Sequence, residues 1–329
     1  MNNLVDSEGS VQYGLYDTPV ENINYEDYRL ETPMGIPVPA VLKRLLINQF
    51  VFFGIVGPEF MLGMAVADLR FLANGFFYIY DRKTGSLTET KKIILSRASL
   101  VKPCPERISA RFISDDLHIE MKSSKISAKG RDIALDATLN FADTNPLRLC
   151  TRAGYRGWIY TRKTMPVSLS GHIIIGDRRT DISSPACMGL LDWTIGYMRR
   201  HTFWNWASTA LTLPDGRTLG LNLSCGVNET GFTENAFWLN GKMTKVDTVS
   251  FVFDRHDLYK KWRITSYDRK TDLVFSPECH RSEKVNAVLL ASIFTQLMGT
   301  FDGKLTASDG EVIDIRECPG WAEDHYAKW

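Results

Sequence analysis

From residue 50 onward the apolar residues fall in short runs or in strict alternation, each run closed by glycine, proline, asparagine or aspartate. That rhythm is the signature of β-strands joined by tight turns. Runs at 50–56 and 60–68 flank Gly57-Pro58 as a hairpin; a run at 75–80 leads into the turn Asp81-Arg82-Lys83-Thr84-Gly85. Strands are expected next at 91–96, 108–114, 117–123 and 133–141. In the third of these, His118, Glu120 and Lys122 alternate with Leu117, Ile119 and Met121, so one face is wet and the other dry. The second half continues with runs at 157–160, 167–175, 217–223, 236–239, 249–253, 262–266, 272–275 and 287–305. Asn240-Gly241 between two apolar triplets is the strongest hairpin signal, because a type I′ turn needs two residues that tolerate positive φ. No amphipathic helix of more than about three turns is evident, and 192–200 is the best helical candidate. The prediction is an all-β protein of two antiparallel units, barrels or sandwiches, each with about eight strands.

Length supports two units, since single cores stop growing at roughly 250–300 residues and the chain has 329. The expected division is 1–185 and 186–329, with the boundary between 150 and 230. At 44% hydrophobic and 23% charged residues, the composition is ordinary for a packed globule. Lys plus Arg (39) nearly cancel Asp plus Glu (38), which leaves no global field for a phosphate backbone, so nucleic acid is not expected. The six cysteines stand singly, without a C-x-x-C pair, and read as separate thiols rather than zinc ligands. The first residues are polar and acidic, unlike a secretory signal, so a cytoplasmic monomer or homodimer is expected. The apolar window 45–69 contains Asn48, Gln49, Pro58, Glu59 and Asp68; it reads as two buried strands and not as a membrane span.

Three segments carry the candidate chemistry. The first, 191–206, gathers Asp192, Trp193, Tyr197, Arg199, Trp204 and Trp206. Large aromatics with a polar edge, and guanidinium groups that stack on them, line pockets for apolar or aromatic ligands; they also plug cores. The second, 222–235, places Glu229 and Glu234 among Asn228 and Asn235 in a polar loop that runs into the apolar strand containing Trp238. Such a loop can aim acids into a cavity, where desolvation raises their pKa, or can be a solvated turn. The third is the end of the chain, where Asp324, His325 and Tyr326 stand between Trp321 and Trp329; adjacent strand residues point to opposite faces. The chain lacks a G-x-S-x-G elbow, a Walker loop, a G-x-G-x-x-G turn and an H-E-x-x-H pair, so neither a nucleotide nor a metal cofactor is expected.

The strings Asp192-Trp193-Thr194-Ile195-Gly196-Tyr197, Phe203-Trp204-Asn205-Trp206, Thr233-Glu234-Asn235-Ala236-Phe237-Trp238 and Glu323-Asp324-His325-Tyr326 resemble the domain of unknown function 2804 family. So do Val66-Ala67-Asp68-Leu69 and 157–163 upstream, so the resemblance covers nearly the whole chain. More remotely, the order of these strings is similar to the double lipocalin-like proteins related to AttH and carotenoid 1,2-hydratase. That resemblance implies two calycin-like β units with a ligand cavity near their junction. In those relatives an aspartate sits by the cavity and, in the hydratases, a carboxylate adds water across a carbon–carbon double bond; Asp192 matches that aspartate. Their Asp-His-Glu-Trp-like string reads Asp-Trp-Thr-Ile-Gly here.

Two functions follow as expectations. One is an enzyme of the lyase, hydratase or isomerase type, working without a cofactor on a hydrophobic or aromatic small molecule. Asp192, Glu229 or Glu234 would be its acid, Asp324 with His325 its base, and Trp193, Tyr197, Arg199, Trp204, Trp206, Asn228, Asn235, Trp238 and Tyr326 its ligand contacts. The other is a non-catalytic carrier that needs the aromatic lining but not the acids.

Overall fold

The computed structural model describes residues 2–95, 100–227, 231–287 and 290–328, with only the backbone of 287 and 290. It is all-β, built from two curled antiparallel half-barrel sheets. The first sheet comprises β1 (Gly14–Leu15), β2 (Asn48–Val56), β3 (Phe60–Asp68), β4 (Leu72–Asp81), β5 (Ser86–Leu95), β6 (Ser109–Ile113), β7 (His118–Lys122), β8 (Lys125–Lys129), β9 (Ile133–Asn140), β10 (Leu147–Ala153), β11 (Gly157–Ile175) and β12 (Arg178–Gly196). Its order is β5-β4-β3-β2-β12-β11-β9-β8-β7-β6, with β10 and β1 continuing from the other half of β11. The second sheet comprises β13 (His201–Thr212), β14 (Thr218–Cys225), β15 (Ala236–Leu239), β16 (Lys242–Lys245), β17 (Val249–Val252), β18 (Trp262–Ser266), β19 (Thr271–Ala287), β20 (Leu290–Thr306) and β21 (Val312–Lys328). It runs β16-β15-β14-β13-β21-β20-β19-β18-β17, so the C-terminal strand lies at the centre. The chain passes between the sheets across residues 197–200.

The apolar side chains form three clusters, one inside each curled sheet and a third between the sheets. Strands β2, β3, β4, β11 and β12 are therefore covered on both faces. Val51 and Phe53 point into the first core while Phe52 and Val56 meet the second sheet, which explains why 50–56 reads as a continuous apolar run. Glycine permits the close approach: a Cβ on Gly220 would stand 2.7 Å from the Met165 backbone, and one on Gly54 would meet the Trp321 ring.

Most expected strands are present, and Asn240, at φ 48°, and Gly241, at φ 75°, form the tight turn between β15 and β16. Two expectations are corrected. Residues 192–200 are not helical: Asp192 to Gly196 complete β12, paired residue by residue with β2 and β11, because Trp, Thr and Ile there alternate between two buried faces. Several strands are also longer than the apolar runs suggest; β11 and β12 have 19 residues each, and β19 and β21 have 17. The one α-helix among the described residues, α1 (Ala40–Leu46), buries no residue and precedes β2. No helix among the described residues is long and apolar enough to cross a membrane.

Candidate active site

A cavity of about 220 Å3 lies between the sheets, with walls from β2, β3, β4, β11, β12, β13, β19, β20 and β21. Alternation decides what reaches it. On β11 and β12, Lys163 and Asp192 stand directly opposite each other on the junction face, while Arg162 and Trp193 point into the first core. On β13 and β21, Trp204, Trp206, Glu323 and His325 face the cavity. Phe50, Phe52, Phe76 and Phe294 complete its aromatic wall.

One polar centre is Lys163, 3% exposed, whose Nζ lies 2.6 Å from Asp192 Oδ2 and 3.4 Å from Glu234 Oε1. Thr194 Oγ1 donates to Asp192 Oδ1 at 3.3 Å. Burial works to strip Lys163 of its proton, but the two carboxylates outweigh it and hold the amine above its usual range. Burial pushes the Asp192 carboxyl up, against Lys163 and with help from the Glu234 charge. The two buried carboxyls share the one Lys163 ammonium, and it is the Asp192 carboxyl that burial drives toward its protonated form. The segment that presents Glu234 is pinned. Lys245 Nζ donates to the carbonyls of Thr233 and Asn235 at 2.6 and 2.7 Å, and Asn222 Nδ2 donates to that of Glu234 at 2.9 Å. Asn222 Oδ1 accepts from Trp206 Nε1 at 2.9 Å, which ties the ring to the same segment.

The other centre is on β21. Glu323 accepts from Gln296 Nε2 at 2.6 Å and from Trp204 Nε1 at 3.3 Å, and Gln296 Oε1 accepts the Tyr78 hydroxyl from the first sheet. Burial pushes the Glu323 carboxyl up to about 7, more than these donors and Arg281 pull it down. His325 packs on Trp204, 4.0 Å between ring centres, and on Phe294, while its Nε2 meets Ser292 Oγ at 3.0 Å. Its Nδ1 is buried with no partner among the described residues. Burial, with the Arg281 charge, lowers the imidazole to about 3, so it is neutral at ordinary pH. Arg281 itself lies 3.9 Å over the Phe76 ring and donates to Glu89, joining the two sheets behind this wall. Among the described residues no three His, Cys, Asp or Glu side chains are grouped to hold a metal ion.

Of the residues singled out from sequence, Asp192, Glu234, Trp204, Trp206 and His325 meet in this cavity. The others do not. Trp193 is fully buried in the first core against Tyr160, and Tyr197 is there too, its hydroxyl donating to the Tyr25 carbonyl. Arg199 lies in the linker beside Gly154, away from the lining. Asp324 and Tyr326 alternate to the far face of β21, where they bond Asn205 and His201. Asn235 turns its amide to Ser224 and Asp247, and Trp238 packs in the junction core with Nε1 on the Asn145 carbonyl. Asn228 and Glu229 fall outside the described residues. Lys163, Glu323, Gln296 and Tyr78 went unrecognised, although a charged residue inside an apolar strand must find a partner, and that was a usable signal.

No curated protein matches the chain. Among solved structures, CghA superposes with a TM-score of 0.55 at 8% identity, covering 100% of this chain and 97% of its own. CghA with Sch210972 gives 0.52 at 8%, covering 86% and 88%. A protein assigned as AttH from Nitrosomonas europaea gives 0.53 at 16%, covering 84% and 92%. These likenesses establish the double-lipocalin fold of AttH. The family model of the domain of unknown function DUF2804 matches residues 1–329, and the chain belongs to that family.

Proposed function

We propose that the protein is an acid–base enzyme of the lyase, hydratase or isomerase type, acting on a hydrophobic or aromatic small molecule held between the sheets. The observation that carries this reading is a carboxyl group, Glu323, with its pKa near 7, buried in the wall of a mainly apolar cavity that holds a second acid centre at Lys163, Asp192 and Glu234. A donor whose pKa matches the working pH is half protonated and transfers its proton efficiently. Glu323 is the donor in this scheme, and the carboxylate of the Lys163 centre is the acceptor. His325, with its pKa near 3, is a poor base. It serves instead as a neutral hydrogen-bonding group beside the substrate, so the base expected of Asp324 and His325 is reassigned.

The test begins with native mass spectrometry of freshly purified protein to identify a retained molecule, followed by turnover in Glu323→Gln and Asp192→Asn. The expected result is loss of about 10²- to 10⁴-fold in rate in each variant, with binding retained. Undiminished turnover in both, or a bound molecule that is always returned unchanged, would sink the reading; the second outcome describes a carrier.

A further inference from the structure

Glu323 ends a chain of side chains that crosses from one sheet to the other. On β20 and β21, Gln296 and Glu323 stand directly opposite each other. Gln296 Nε2 donates to Glu323 Oε1 at 2.6 Å, and Gln296 Oε1 accepts from the hydroxyl of Tyr78, on β4 of the first sheet. Gln296 and Tyr78 are fully buried and lie behind the wall, outside the cavity lining. The Tyr78 hydroxyl is seated over Gly63 of β3, where a Cβ would collide with it. The other oxygen of Glu323, Oε2, accepts from Trp204 Nε1 at 3.3 Å, and Trp204 is part of the lining.

These partners decide where a proton on Glu323 resides. A carboxylate accepts at both oxygens, whereas a protonated carboxyl keeps one as a pure acceptor and makes the other a donor. The Gln296 amide nitrogen only donates, and at 2.6 Å it occupies Oε1 as the acceptor. The proton is then carried by Oε2, on the side of the cavity-lining Trp204. With the amide turned over, its oxygen would accept from Oε1 and hold the proton behind the wall. Tyr78 opposes that turn, because its buried hydroxyl would be stripped of its acceptor.

We infer that Tyr78 and Gln296 are positioning residues that, by fixing the amide, keep the transferable proton of Glu323 on Oε2, facing the cavity. This rests on the reading of Glu323 as the proton donor, but the place of the proton can be measured without a substrate.

The probe is a small aryl diazoacetamide, which esterifies protonated carboxyls. The carboxyl proton passes to the diazo carbon, the carboxylate oxygen bonds to that carbon, and dinitrogen leaves. Peptide mass mapping reports the site. Below its pKa of about 7, Glu323 of the wild-type chain is expected to be labelled. Tyr78→Phe keeps the ring and deletes the hydroxyl, so the amide can turn and labelling of Glu323 should fall at least about tenfold, with unchanged circular dichroism. Adding Gln296→Leu removes the oxygen that traps the proton, and labelling should recover. A merely structural role for Tyr78 has the opposite sign, since a loosened wall exposes Glu323 further. An unlabelled Glu323 in the wild type, equal labelling in folded Tyr78→Phe, or no recovery in the double variant overturns the inference. Labelling as expected, together with undiminished turnover in Glu323→Gln, would leave the place of the proton standing and remove only the enzymatic reading.

Discussion

Lys163 and Asp192 face each other across two neighbouring strands, with Nζ 2.6 Å from Oδ2, in the layer between the two sheets. A buried cross-strand ion pair of this kind adds little net stability, but breaking it from one side is costly because a charge is stranded. Replacing Lys163 by Met should therefore destabilise the fold by about 3–5 kcal/mol, since Asp192 and Glu234 would lose their shared cation. Adding Asp192→Leu and Glu234→Leu to that variant should restore most of the loss. Urea unfolding of the single and triple variants measures both effects, and a triple variant weaker than the single one would contradict this account.

Glu323 gives stability a pH dependence of definite sign. Its carboxyl is raised from 4.5 to about 7 in the folded chain, so folding favours the protonated form. The contribution is complete below 4.5 and is lost as pH rises through about 7; a shift of this size corresponds to about 3 kcal/mol. Glu323→Gln keeps the shape and removes the titration. It should gain on the wild type by up to about 3 kcal/mol between pH 5 and pH 9 in denaturant midpoints. A constant difference across that range would mean that the carboxyl is not held protonated.

Much of the fold was legible because the hydrophobic pattern has one reading where a strand is apolar on a single face, as at 117–123, and where a turn demands its residues, as at Asn240-Gly241. The sequence reading ended strands at Tyr160 and Phe275, short of Lys163 and Arg281, and read Asp192 as the start of a helix. Polar residues in the middle of an apolar run look like a loop until a second sheet supplies their partners. Those interruptions are the site. The same cause hid Glu323, which composition alone cannot distinguish from its exposed-face neighbour Asp324; only the alternation of β21, anchored by Trp321 in the junction core and Ala322 in the second core, separates them.

His325 is expected to behave unlike a surface histidine. Burial and the Arg281 charge lower it from 6.5 to about 3, so the folded state binds the proton later than the unfolded one. Its stabilising contribution is present above 6.5 and is lost as pH falls toward 3. Nitrogen NMR of labelled protein should show one imidazole still neutral at pH 5, and His325→Asn should remove that signal. A normal titration near 6.5 would show that the ring is solvated.

Two tryptophans, Trp193 on β12 of the first sheet and Trp204 on β13 of the second, separate packing from chemistry. Trp193 fills the first core with no exposed surface, so Trp193→Ala opens a large hole and should cost about 3–5 kcal/mol. Trp204 lines the cavity, packs on His325 and donates to Glu323. Trp204→Phe keeps most of the ring packing but deletes the donor that favours the ionised carboxylate, so the Glu323 pKa should move further above 7 and the pH dependence of stability should shift the same way. The two variants are compared by urea unfolding across pH. Equal losses of stability from both, with no change in the pH profile of Trp204→Phe, would place Trp204 in the packing alone and remove it from the proton chemistry of the cavity.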